Sequence, residues 1–252
     1  MISGGKIMFK KNKGRINTCN DVAKYDDGNY ELNESYRGIR TFLSVDENIK
    51  TILVTSSDMN EGKTTTISNL ARCFSELDNK KTIVIDCDFR KQGLNKYFKI
   101  SRESLGISNI IYDNKSLEEC IQKDGNLDIL CCGTLLSNPA VLLQSKKTIN
   151  FINSLKEKYD YILIDSPPVG RVNDACILAQ YVDGTVIISA SKETEKHQVK
   201  VTKDRLSKVN ANIIGVILNK FKTQEYKSYS YYGYYGYEDD RKFKFFNRRK
   251  KA

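Results

Sequence analysis

The run TILVTSSDMNEGKTTTISNLA, residues 51–71, constrains this chain more than any other stretch. Its first six residues are rich in apolar and β-branched side chains and predict a strand over 51–56. A helix is predicted from about Lys63 to Leu77. Between them, Ser57 to Thr65 fits the pattern GxxxxGK[ST], with Ser57 in place of the first glycine. A loop of this kind binds phosphate because backbone amides at a helix start point at anionic oxygens. Gly62 lets the backbone come close. Lys63 has the reach for β- and γ-phosphates, Thr64 the hydroxyl to ligate Mg²⁺, and Thr65 a place on the α-phosphate side. Ser57, Asp58, Asn60, Glu61, Gly62, Lys63, Thr64 and Thr65 therefore read as a binding site for Mg²⁺ and ATP.

Two more apolar runs end in acids. TIVID (82–86) stops at Asp86, with Asp88 and Arg90 following, and DYILID (160–165) stops at Asp165 before Ser-Pro-Pro. A hydrophobic strand ending in Asp suits a phosphate-loop enzyme, which needs carboxylates near its Mg²⁺. Further strands are predicted at 127–131, 184–190 and 213–219. Helices are predicted at 30–44, 116–123, 139–157, 173–181 and 195–208, and residues 103–124 around the second of these read as helix or loop. Short buried strands alternating with helices define an α/β fold. We expect one phosphate-loop-NTPase-like domain, a mostly parallel sheet with helices on both faces. In such sheets ligands sit beyond the carboxyl ends of the strands.

The chain has 252 residues, sufficient for one large domain. The domain is expected over 29–222, between a flexible basic arm at 1–28 and a disordered tail at 223–252. Of the net charge of +10, residues 1–16 carry +5 and residues 238–252 carry +4, which leaves the body nearly neutral. A neutral body argues against a nucleic-acid surface, and basic ends suit anionic headgroups or an acidic partner. No apolar run approaches the roughly 20 residues of a membrane span, and the N-terminus lacks a signal sequence. A cytoplasmic location is expected. Seven cysteines without a CxxC pair, and His197 as the single histidine, predict buried reduced thiols and no zinc.

Residues 226–237 hold Tyr226, Tyr229, Tyr231, Tyr232, Tyr234, Tyr235 and Tyr237, where the chain's fifteen tyrosines spread evenly would give fewer than one. A tyrosine cluster can also be a sticker or an RNA-stacking segment. At about 3.3 Å per extended residue, Tyr237 reaches roughly 60 Å from Asn219, enough for a neighbouring subunit. Near the other end, Glu34, Arg37 and Arg40 recur every three residues and share one helix face.

Taken together, TSSDMNEGKTTTISNLA, TIVIDCDFR, YDYILIDSPPV…DA, NPAVLLQSK and GVILNKF resemble the bacterial tyrosine kinases of capsule and exopolysaccharide synthesis. The likeness is to the stand-alone kinases of Gram-positive bacteria and covers roughly residues 30–237. It implies catalytic roles for Lys63, Asp86, Asp88 and Asp165. Asp86 is the candidate to take the tyrosine proton, although the motif leaves open which of Asp86 and Asp88 does so. Thr64, Asp88 and Asp165 would hold Mg²⁺. The seven tail tyrosines would be autophosphorylation sites. The E-x-x-R-x-x-R motif of Glu34, Arg37 and Arg40 would mediate a ring-like homo-oligomer. A membrane protein would act as activator, drawing the kinase to the inner face of the membrane, and a cognate phosphatase would reverse the modification. Val141 stands where some relatives carry an acid. The competing class is a partitioning-type ATPase switch. Those proteins carry a signature lysine at the position of Asp58 and have no tyrosine tail.

Overall fold

The structure is a computed structural model that describes residues 6–10, 24–25 and 30–221. Three strands form its centre: β2 (Thr51–Ser56), β3 (Thr82–Asp86) and β6 (Tyr161–Asp165), with β7 (Gly184–Ala190) beside β2. Their side chains alternate between two buried faces, as a pleated strand requires. Ile52 and Val54 face one side with Val84, Leu163, Val186 and Ile188. Leu53 faces the other with Ile83, Ile85, Ile162, Ile164 and Ile187. Burying both faces explains why these strands read as unbroken apolar runs.

The first face is covered by α1 (Tyr30–Leu43), α2 (Lys63–Ser75) and α3 (Gly93–Phe98). Ile39 of α1 and Leu70 and Phe74 of α2 are completely buried there. The second face is covered by α4 (Ile107–Asp113), α5 (Leu117–Cys120), α6 (Pro139–Gln144), α7 (Lys146–Leu155), α8 (Asp174–Leu178) and α9 (Lys196–Lys208). The remaining strands are β1 (Lys6–Lys10), β4 (Ile121–Asp124), β5 (Leu127–Leu130) and β8 (Ile213–Phe221). The order is β1-β8-β7-β2-β6-β3-β5-β4, parallel except where β4 meets β5. The chain runs from β2 out to β3, returns to insert β6 between them, then crosses to β7 and β8. The loops after β2, β3 and β6 therefore open side by side.

Four expectations differ from the structure. The arm expected over 1–28 contributes β1, which pairs in parallel with β8 and covers an edge whose backbone groups would otherwise lack partners. Tyr25 from the same stretch is buried against α1 and α2. The helix expected over 116–123 stops at Cys120, because Gly125 at φ 60° turns the chain and pairs Ile121–Asp124 antiparallel with β5. The helix expected over 139–157 is two helices. Ser145 between them is extended, and its hydroxyl caps α7 by accepting from Thr148 N at 3.1 Å. Finally, α3 was not among the expected elements. Residues 223–252, expected as a tail, lie outside the described residues.

All six cysteines among the described residues are free and buried. Burial pushes the Cys87 and Cys132 thiols well up, which keeps both protonated and unreactive. No helix among the described residues is long and apolar enough to cross a membrane.

Candidate active site

The site lies where β2, β3 and β6 end. Gly62 precedes α2 with φ 91°, a left-handed conformation that turns the loop sharply into the helix. A Cβ there would stand 2.0 Å from Asn219 Nδ2. That amide donates to the Glu61 carbonyl at 2.9 Å. Asn60 is also left-handed, with φ 63°, and its side-chain oxygen accepts from Lys91 Nζ at 3.0 Å. Lys63, Thr64 and Thr65 form the first turn of α2, where amides have no partner within the helix and no residue of the turn is acidic. Lys63 is buried.

Each end of the loop is fastened. Ser57, in place of the usual glycine, is buried and its hydroxyl accepts from Thr202 of α9 at 3.0 Å. Glu61 uses both carboxylate oxygens inside the protein. Oε2 accepts from Asp58 N at 2.9 Å, and Oε1 accepts from the Thr194 hydroxyl. Asp58 points outward and meets Arg171 in a two-pronged pair at 2.7 and 3.0 Å.

The acids meet at the base of the loop. Asp86 and Asp165 are cross-strand partners and fully buried. Asp86 accepts from Asp88 N at 2.9 Å and Leu94 N at 3.1 Å. Thr64 donates to Asp165 Oδ2 at 2.6 Å, while Asp165 Oδ1 is buried without a hydrogen bond. Burial, and then the charge of Asp165, raises the Asp86 carboxyl above the ordinary range. Burial raises Asp165 as well, opposed by the Lys63 ammonium and the Thr64 hydroxyl. Asp88 is buried and accepts from the amides of Arg90 and Lys91. Its neighbour Arg90 lies 3.5 Å from the buried Asp174.

These residues fit Mg²⁺. The donors are hard oxygens, Thr64 is already joined to Asp165, and the second Asp165 oxygen is buried without a hydrogen bond. No three His, Cys, Asp or Glu side chains among the described residues form a metal cage. A bound ion would rest on Thr64, the nearby carboxylates, water and nucleotide oxygens, as Mg²⁺ commonly does.

The structure thus brings together Lys63, Thr64, Asp86, Asp88 and Asp165. Glu34, Arg37 and Arg40 stand apart, on α1 behind α2. Glu34 pairs with Arg37 at 2.8 Å, Arg37 Nε donates to the Tyr25 hydroxyl, and Arg40 lies 3.7 Å from Glu76. The seven tail tyrosines are outside the described residues. Sequence reasoning assigned no role to Arg171, Thr194, Asn219 or Gly93, whose added Cβ would press on Thr64 at 2.7 Å. Asn219 and Asp174 carried a signal, as polar residues closing GVILN and opening the helix after SPPV. Arg171 and Thr194 carried none, because only the fold sets them against the loop.

A family model described as an AAA domain matches residues 49–217. The tyrosine-protein kinase YwqD of Bacillus subtilis (strain 168) is 34% identical over 218 residues, covering 84% of this chain and 91% of that protein. The tyrosine-protein kinase CpsD of Streptococcus pneumoniae is 34% identical over 190 residues, covering 74% of this chain and 83% of that one. Among solved structures, the VpsO kinase domain superposes with a TM-score of 0.68 at 33% identity, covering 77% of this chain and 98% of that one. A phosphate loop at the ends of three parallel strands, with buried aspartates beneath it, is common to nucleotide-binding enzymes, and these likenesses narrow the class: the chain belongs to the bacterial tyrosine kinases.

Proposed function

We propose that the chain transfers the γ-phosphoryl group of Mg·ATP to tyrosines of its own cluster at 226–237, in trans within an oligomer. The observation that carries this reading is the meeting of Lys63, Thr64, Asp86, Asp88 and Asp165 at adjoining strand ends. In this scheme the α2 amides and Lys63 bind the phosphates and hold them in line. Thr64, Asp88 and Asp165 would hold Mg²⁺, which would supply neutralising charge when bound. Asp86 takes the phenolic proton as the tyrosine oxygen bonds to the γ-phosphorus and the bond to ADP breaks.

The oligomer is a ring held by Glu34, Arg37 and Arg40. A membrane protein with a cytoplasmic tail activates the kinase and places it at the inner face of the membrane. A phosphatase resets it, and the cycle regulates capsule or exopolysaccharide synthesis. These elements rest on the family resemblance.

The test is incubation of purified protein with γ-labelled ATP, followed by peptide mapping. Label is expected on tyrosines 226–237, falling about 10²–10³-fold in Lys63→Met. Hydrolysis of ATP with no label on tyrosine would overturn the reading in favour of an ATPase switch.

A further inference from the structure

The loop carries an acid where an anion must bind. Asp58 follows Ser57 on the rim, and a carboxylate there repels a triphosphate. The repulsion is offset by Arg171, whose guanidinium bonds both Asp58 oxygens at 2.7 and 3.0 Å. The backbone beneath Arg171 is fixed. Val169 N donates to Ser56 O at 2.9 Å and Gly170 N to Ser57 O at 3.1 Å. A Cβ on Gly170 would lie 2.1 Å from Ser57 O, so only glycine permits this contact. On the far side, Arg205 donates to Val169 O at 2.8 Å. The guanidinium itself remains about half exposed, on a rigid base at the mouth of the loop.

We infer that Arg171 is a further substrate-binding residue, stored on Asp58 and transferred to the γ-phosphate when a nucleoside triphosphate occupies the loop. This rests on the nucleotide reading of the site. The pair with Asp58 is solvent-exposed and screened by salt, which lowers the cost of exchanging it for a nearby phosphate. A guanidinium against a phosphate forms two charge-assisted bonds to a group with more charge than a carboxylate. The exchange therefore runs toward the phosphate. Because a diphosphate presents no γ-phosphoryl group, Arg171 gives preference for the unreacted nucleotide and releases its hold once transfer is complete.

The test is calorimetric titration of the full chain, in Mg²⁺, with ADP and with the β,γ-imido analogue of ATP. The readout is the ratio of the two affinities. ADP binding by each variant certifies that it is folded. Arg171→Ala is expected to lower the analogue-to-ADP ratio about 10-fold. Asp58→Ala, which removes the competitor, is expected to raise it about threefold. A static latch would make the two variants alike. If both variants weaken the two nucleotides by one common factor, or leave the ratio unchanged, the inference is wrong. Wild-type protein that binds neither nucleotide would overturn the nucleotide reading itself.

Discussion

Gly62 combines a φ of 91° with an Asn219 amide where its side chain would be. Gly62→Ala therefore carries two penalties, a backbone strain of about 1–2 kcal/mol and the displacement of Asn219. They separate in a double-mutant cycle. Gly62→Ala is expected to lower both thermal stability and nucleotide affinity. Adding Asn219→Ala should restore only the part due to crowding. If the double variant is as impaired as the sum of the singles, the two residues do not meet. Ser57 teaches a related lesson. Where the motif has glycine, its hydroxyl accepts from Thr202 of α9, so the loop gains an anchor at that position.

At the opposite end of the sheet, elements are joined by one carboxylate. Asp183, just before β7, accepts from Lys50 N at 3.1 Å, Thr51 N and Oγ1 at 2.8 Å each, and Lys156 Nζ at 2.7 Å. It thus ties β7 to the start of β2 and the end of α7. Burial alone would raise its pKa, but these donors outweigh it and hold the carboxyl below the ordinary value. A depressed folded-state pKa contributes stability above the unfolded value, near 3.9, and that contribution is lost as pH falls through the folded value. Asp183→Asn should cost about 1–3 kcal/mol at pH 7. The gap from wild type should narrow in denaturant melts below about pH 4, and a gap independent of pH would refute the account. The strands were legible from sequence because burial on both faces leaves long apolar runs, and Asp86 and Asp165 were legible as the polar residues closing them. β4 was not, because four mixed residues after a capped helical turn carry no period. Ser145 was misread for a similar reason. A serine within a helical pattern announces a new helix only once its backbone is extended. The Asp58–Arg171 and Glu61–Thr194 contacts join residues more than a hundred positions apart, which no local pattern encodes.

For the whole molecule, the proposed ring and the proposed reaction act on each other. Each phosphate adds roughly −1.5 to −2 charges, so a modified cluster repels both its neighbours and the acids at the site. Phosphorylated wild type should form smaller assemblies than Lys63→Met in native mass measurements, and equal sizes would dismiss the coupling. Arg40 complicates mutation of the ring motif because it also reaches Glu76 within its own subunit. Glu34, which pairs with Arg37 along α1 at an exposed position, is the cleaner probe. Asn219 has one more consequence. It bonds the phosphate loop at Glu61 and stands two residues before the end of β8, so the chain that leads to Tyr226 is rooted at the rim of a nucleotide site. Within an assembled oligomer, an acceptor tethered in this way meets a neighbouring site at an effective concentration set by the tether. On the proposed reading, such a kinase does not measure how much substrate the cell contains. It measures whether its own copies are assembled, and its phosphotyrosine count becomes a record of that contact.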